Sequence, residues 1–286
     1  MNKPYFMGNQ FVWWQGVVED VNDPLFLGRC RVRILGFHHP DTETIPTKHL
    51  PWAMVIQPVT SAAISGIGYS PNGLLPGSWV VGFFRDPEYF QEPVIMGSIA
   101  GIPIQQGVNI GSGFRDPNKK YPLESHLYES DLNRLARNDN TDRTVVAKKK
   151  KTSVRGIPAA FGLTSWNEPK TPYNAMYPKN HVYQSESGHI QEFDDTPTRE
   201  RIHTYHRSGT FHEIHPDGTT VNKIVSNNYE IILKNDRVLI RGRKYENVSN
   251  DSITTIDNDS ITKIGGNLNI QVEGDAVDFD KVAQVI

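Results

Sequence analysis

Between Phe11 and Ile99 short apolar runs alternate with turn signals. Phe11 to Val21 is a mixed run holding Trp13, Trp14, Val17 and Val18, and it closes on Asn22-Asp23-Pro24. From Gly28 to Phe37 the positions alternate, with Cys30, Val32 and Ile34 on one face and Arg29, Arg31 and Arg33 on the other. That period of two belongs to a half-buried strand. Pro51 to Val59, Ser78 to Phe84 and Pro93 to Ile99 are three more strands, rich in Val, Ile and aromatic residues. The glycine-rich run Thr60 to Gly77 is a long loop. Five short strands with no long amphipathic helix predict a small closed barrel over residues 1–104, most economically an OB fold.

The pattern dissolves between 105 and 176. Four consecutive lysines, Lys148 to Lys151, follow a polar stretch from Asn138 to Arg143, and Pro158, Pro169, Pro172 and Pro178 punctuate the end. Such composition predicts an extended linker that is too poor in apolar surface to order itself, or one laid on a partner. A short helix near Glu124 to Arg137 is the one element expected there. Alternation returns over 177–238. Ser187-Gly188, Ser208-Gly209 and Asp217-Gly218 separate strands at His189–Phe193, Arg201–His206 and Thr210–His215, as in successive hairpins.

A third period governs the C-terminal part, 239–280. Ile240, Val248, Ile256, Ile264 and Val272 lie eight residues apart, and the register extends back to Ile232 and Ile224. Two places after each of the five comes Gly242, Asn250, Asn258, Gly266 or Gly274. Glycine and asparagine enter the left-handed backbone region most readily, so this column predicts one kink per octad. A second column, Tyr245, Ile253, Ile261, Asn269 and Val277, is mostly apolar. One chain of octads has no interior and two open edges. Several identical chains around one axis close both, and a three-walled prism is the smallest closure that aliphatic side chains can fill. The five aliphatic residues are therefore the expected trimer core, with Asp251, Asp257, Asp259 and Lys263 facing outward. The last residues, 281–286, end in Val282, Val285 and Ile286, an apolar surface expected to dock a small tip protein.

Composition narrows the function classes. With 30 Lys+Arg against 32 Asp+Glu the formal charge is -2, which excludes a basic footprint along the whole chain. Glycine and proline together make 42 of 286 residues, in keeping with turns and strands. A single cysteine, Cys30, rules out an intramolecular disulfide framework. No apolar run is long enough to span a membrane as a helix. The first ten residues lack the apolar core of a signal peptide, so synthesis in a cytoplasm is expected.

Several runs then resemble one family in order along the chain. Trp14-Gln15-Gly16-Val17-Val18-Glu19-Asp20, Asp23-Pro24-Leu25, Leu27-Gly28-Arg29 and Leu50-Pro51-Trp52 are similar to the opening of the central spike proteins of contractile-tailed, myovirus-type phages. Ser65-Gly66-Ile67-Gly68, Asp116-Pro117, Tyr121-Pro122 and above all Glu186-Ser187-Gly188-His189-Ile190-Gln191-Glu192-Phe193-Asp194-Asp195-Thr196-Pro197 continue the match. The octads are similar to the family's Val-x-Gly repeats. The resemblance implies an all-β homotrimer in which an N-terminal OB barrel joins the baseplate hub protein and a triple-stranded β-helix forms the needle. It also implies a place in the virion tail baseplate and transient passage through the host outer membrane. Spikes of bacterial type VI secretion machines share this architecture at greater distance and form the alternative reading. An OB-fold nucleic-acid binder is the second alternative.

The best-known family member carries a lysozyme domain between barrel and needle. Residues 123–176 are too few for one, and Glu124, Glu129, Asp131 and Glu168 look like surface carboxylates of a linker, so no enzyme activity and no cofactor is expected. Six histidines lie between His181 and His215, but residues three apart on a strand face opposite sides, so His203/His206 and His212/His215 make poor chelates and no metal is expected. Lys148 to Lys151 is expected to be a solvated run. Arg29, Arg31 and Arg33 are expected on a solvated or intersubunit face without aromatic neighbours, and no nucleic acid is expected as a partner.

Overall fold

The structure, a computed structural model, describes residues 11–69, 73–86, 88–104, 113–139, 143–159 and 164–271. Five strands form a closed barrel: β1 (Trp13–Asp20), β2 (Cys30–Ile34), β3 (Trp52–Val55), β4 (Trp79–Phe84) and β5 (Pro93–Ser98). Their order around the barrel is β1-β2-β3-β5-β4, closed by β4 on β1, with β3 and β5 parallel and every other pair antiparallel. This is the OB arrangement. All five strands fall inside the five runs read from the sequence, of which only Gly28–Phe37 alternates.

The barrel core holds Trp14, Val18, Cys30, Val32, Ile34, Ala53, Val80, Phe84 and Ile95. Each large aliphatic or aromatic side chain in it contributes about 1.5–3 kcal/mol by leaving water. Trp14 lies across Gly82 on β4. A Cβ there would sit 2.5 Å from the indole and 2.0 Å from the Val94 carbonyl oxygen, so only glycine lets strand and ring meet.

A second sheet is an antiparallel meander in the order β10-β9-β8-β7-β6. It comprises β6 (Asn180–Gln184), β7 (Ile190–Asp194), β8 (Arg201–Tyr205), β9 (Phe211–Ile214) and β10 (Thr220–Lys223). Three of its four turns are those of the X-Gly dipeptides, where Gly188, Gly209 and Gly218 have φ of 91°, 105° and 82°; the β7–β8 turn has none and places Thr198 at φ 67°. Period two puts Ile190, Tyr205, Phe211 and Val221 on the buried face.

The stretch between barrel and sheet differs from the expected extended linker. Among the described residues it contains the α-helix α1 (Val145–Lys151), with Thr144 as N-cap accepting from the Ala147 N–H, and a 3-10 turn at Glu124–His126 in place of the helix expected there. Leu135, Val145, Tyr173 and Ala175 complete the core of the sheet. The apolar surface that the stretch lacks is lent by the sheet, so the chain supplies the expected partner itself. By its contacts the chain divides into two units. One comprises Met1–Val154 with Glu168–Ile231, and the other Arg155–Asn167 with Ile232–Ile286. The first contains both sheets. In the second, Ile157 and Trp166 form an isolated antiparallel bridge.

Candidate functional site: an eight-residue repeat and a buried charge network

Beyond β10 the described residues form no further strand, yet the backbone keeps a strict period. Bends occur at 225–226, 233–234, 241–242, 249–250, 257–258 and 265–266, one every eight residues. The second residue of the last four is Gly242, Asn250, Asn258 and Gly266. None of these four has φ in the left-handed region. The conformation expected of them is therefore absent. A Cβ on Gly242 or Gly266 would meet nothing within 4 Å, so neither positive φ nor a close approach within the chain accounts for glycine at these bends.

The aliphatic column just before each bend is half-shielded by its own chain: Ile240 is 48% exposed, Val248 54%, Ile256 52% and Ile264 45%. In the second column Ile253 and Ile261 are almost fully exposed. Ile231, Leu233, Val238, Leu239, Leu268 and Ile270 are exposed as well. Val272, Gly274, Val282, Val285 and Ile286 lie outside the described residues.

A different arrangement occupies the covered face of the second sheet. Alternation along β7, β8 and β9 places Glu192, Arg201, His203 and Glu213 inward beside Ile190, Tyr205 and Phe211, and all four are buried. Arg201 forks between two carboxylates, 2.7 Å from Glu192 and 2.9 Å from Glu213. His203 Nδ1 lies 2.7 Å from Glu192 Oε2. Asn180 donates to Glu192 and Thr171 to Glu213. From α1, Lys149 puts its ammonium 2.9 Å from Glu213 and 3.8 Å from the centre of the Phe211 ring. Burial alone would push Glu213 up, but the facing Lys149 and Arg201 hold it at about 2. Burial pushes Lys149 down against the pull of Glu213. His203 is pushed down by burial and by the nearby Lys149 and Arg201, although Glu192 pulls the other way.

Lys149 thus stands apart from its neighbours. Lys148, Lys150 and Lys151 are exposed as a solvated run should be, while Lys149 is buried and paired. The barrel arginines also depart from expectation. Arg33 is fully buried, forked on Glu19 and donating to the carbonyls of His39 and Ile45. Arg29 pairs with Asp23 at 2.7 Å, and Arg31 lies 4.4 Å over the Trp52 ring, the aromatic neighbour that strand alternation did not show. Two local signals were available for these pairs. Glu192 shares a strand face with Ile190, and Arg201 and His203 with Tyr205, and Thr144 preceded Val145-Val146 as a helix cap does; nothing in the alternation marked Arg33 as buried.

The remaining candidates stay dispersed. Glu129 pairs with Arg134 and Arg137, and Glu168 with Lys223. His189 and His206 stack with ring centres 4.5 Å apart, and His215 pairs with Glu213. Among the described residues no group of three or more His, Cys, Asp or Glu side chains converges as metal ligands.

Residues 37–183, which run from within the barrel to β6 and include α1, match the family model described as the Gp5 N-terminal OB domain. Protein Gp5 of Vibrio phage KVP40 is 43% identical over 307 residues, an alignment that takes in 96% of this chain and 66% of that protein. The pre-baseplate central spike protein Gp5 of Enterobacteria phage T4 is 46% identical over 121 residues, 41% of this chain and 21% of that protein. The chain thus spans just under two thirds of the KVP40 relative. With a family model across more than half of its length and a relative aligned along nearly all of it, the protein belongs to the Gp5 family of phage baseplate central spike proteins.

Proposed function

We propose that three copies of this chain wind their octads around a common axis into a triple-stranded β-helix, the needle of a phage tail baseplate in the virion. Ile240, Val248, Ile256, Ile264 and Val272 then fill the interior, and the bends at Gly242, Asn250, Asn258, Gly266 and Gly274 turn each chain to the next wall. The barrel attaches the needle to the hub protein, and Val282, Val285 and Ile286 dock a small tip protein. Sheath contraction drives the assembly through the host outer membrane. The role is mechanical and requires no catalytic group, cofactor or nucleic acid.

One observation carries this reading. Six bends recur at intervals of eight while the aliphatic residues between them stay exposed and unpaired by their own chain. So much exposed aliphatic surface on one chain calls for partners, and a common period lets identical chains supply them in register. The barrel adds support against the nucleic-acid alternative, since Arg29 and Arg33 are engaged by carboxylates and Arg31 by Trp52 and the carbonyl of Leu50.

Deletions test the period. Removing one whole octad, 248–255, keeps every column in register, so tail particles should assemble with a shorter spike and remain infectious. Removing half of it, 248–251, shifts each column to the wrong wall and should abolish the spike. Equal tolerance of both deletions in assembled particles would defeat the proposal.

A further inference from the structure

The covered face of the second sheet has a charge deficit of its own. Glu192, Asp194 and Glu213 are buried carboxylates there, and Arg201 is the only buried arginine or lysine on the same strands. The missing positive charge comes from another element, through Lys149 on α1. The contact is stereochemically particular. His203 Nδ1 faces Glu192 Oε2 at 2.7 Å, so its proton sits on Nδ1 and the Nε2 lone pair is left free. That lone pair faces Lys149 Nζ at 3.5 Å, and the lysine donates into it. A second proton on His203 would have to occupy Nε2. It would then oppose the ammonium with donor against donor, at a site where a like charge is not screened by water.

We infer that α1 is an acid-released latch: its buried Lys149 holds the stretch between barrel and sheet in place only while His203 is neutral. Glu192 on β7 and Lys149 on α1 meet the histidine directly, the rings of Tyr205 and Phe211 flank it, and Asp194, Arg201 and Glu213 are the other charged groups buried on the same face. With His203 neutral, Lys149 donates to its free Nε2 and pairs with Glu213. With His203 charged, Nε2 carries a proton and opposes the ammonium donor to donor, and Lys149 is the one that can leave. It sits on a seven-residue helix whose other three lysines are already in water, whereas Arg201 is fixed in a strand.

The direction of the pH effect follows. The unfolded or undocked histidine takes its proton near the ordinary value of 6.5, and the docked one only at lower pH. Docking is therefore favoured fully above about pH 6.5 and is lost progressively as pH falls below it. Protonation of Glu213, held at about 2, completes the loss in strong acid. The latch does not depend on the needle's role in piercing. It concerns how firmly the hub-side barrel is tied to the sheet from which the octads start.

Amide hydrogen exchange on the full-length, assembled protein tests it. Corrected for intrinsic rates, the amides of Lys148 to Thr152 should lose at least tenfold in protection between pH 7.5 and 5.5, while Val18 and Val80 in the barrel keep theirs. In His203→Gln the loss should disappear, because the amide keeps a donor and an acceptor but cannot titrate. In Lys149→Met it should disappear as well, because nothing then opposes a charged His203. Unchanged protection of α1 in the natural protein across this range would overturn the proposal. So would an acid-induced loss that persists in Lys149→Met. Should His203→Gln lose protection in the barrel too, it is misfolded, and Lys149→Met alone decides.

Discussion

Ile34 in the barrel is inaccessible to water, whereas Ile256 in the octads is 52% exposed. The two residues are chemically identical, and both recur in a regular period. The difference lies in what the period closes. Alternation by two lets five neighbouring strands of one chain turn their apolar faces inward and finish a core alone. A period of eight with one bend per repeat yields two apolar side chains and a corner, and no second wall within reach. The first pattern specifies a domain; the second leaves its aliphatic residues exposed, and on the function proposed above it is one wall of a shared structure.

The same substitution should therefore have opposite consequences in the two regions. Ile34→Asp places an unpaired carboxylate in the barrel core, costs several kcal/mol and should unfold the barrel of a single chain, as read by loss of near-ultraviolet dichroism. Ile256→Asp should leave that signal intact and abolish assembly, because three carboxylates would meet near one axis. A folded trimer of Ile256→Asp would break the distinction.

Arg201→Met sharpens the comparison at the second sheet, whose core is completed by the preceding stretch of the same chain and holds a buried charge network. The change strands Glu192 and Glu213 without their shared guanidinium and should destabilise the unit by about 3–5 kcal/mol in denaturant titration. The smallest effect belongs to the loop between β1 and β2. There Asp23 accepts from the N–H groups of Leu25 and Leu27 and leaves Phe26 94% exposed. Phe26→Ser should change stability by no more than about 0.5 kcal/mol.

Legibility in the sequence followed the same divide. The five barrel strands and the hairpin meander were visible because alternation and X-Gly turns are local signals, and the octad spacing was visible because it repeats. What closes the structure at a distance was not. Lys149 looks like its three neighbours until α1 is laid against Glu213, and Arg33 looks like Arg29 and Arg31 until the barrel closes over Glu19. Side chains chosen by a partner far along the chain look in the sequence like their solvated neighbours, and nothing local names the partner. The bends show a subtler gap. The column Gly242, Asn250, Asn258 and Gly266 marked where the chain turns, but a preference for positive φ was the wrong reason.

The native mass of the purified 286-residue chain is the most direct test of the proposal that the octads are one wall of a shared structure. Light scattering in dilute neutral buffer should give about three times the 32.3 kDa of the chain, with unfolding that depends on protein concentration. A monodisperse species at the mass of one chain, with octad amides protected from exchange, would contradict it.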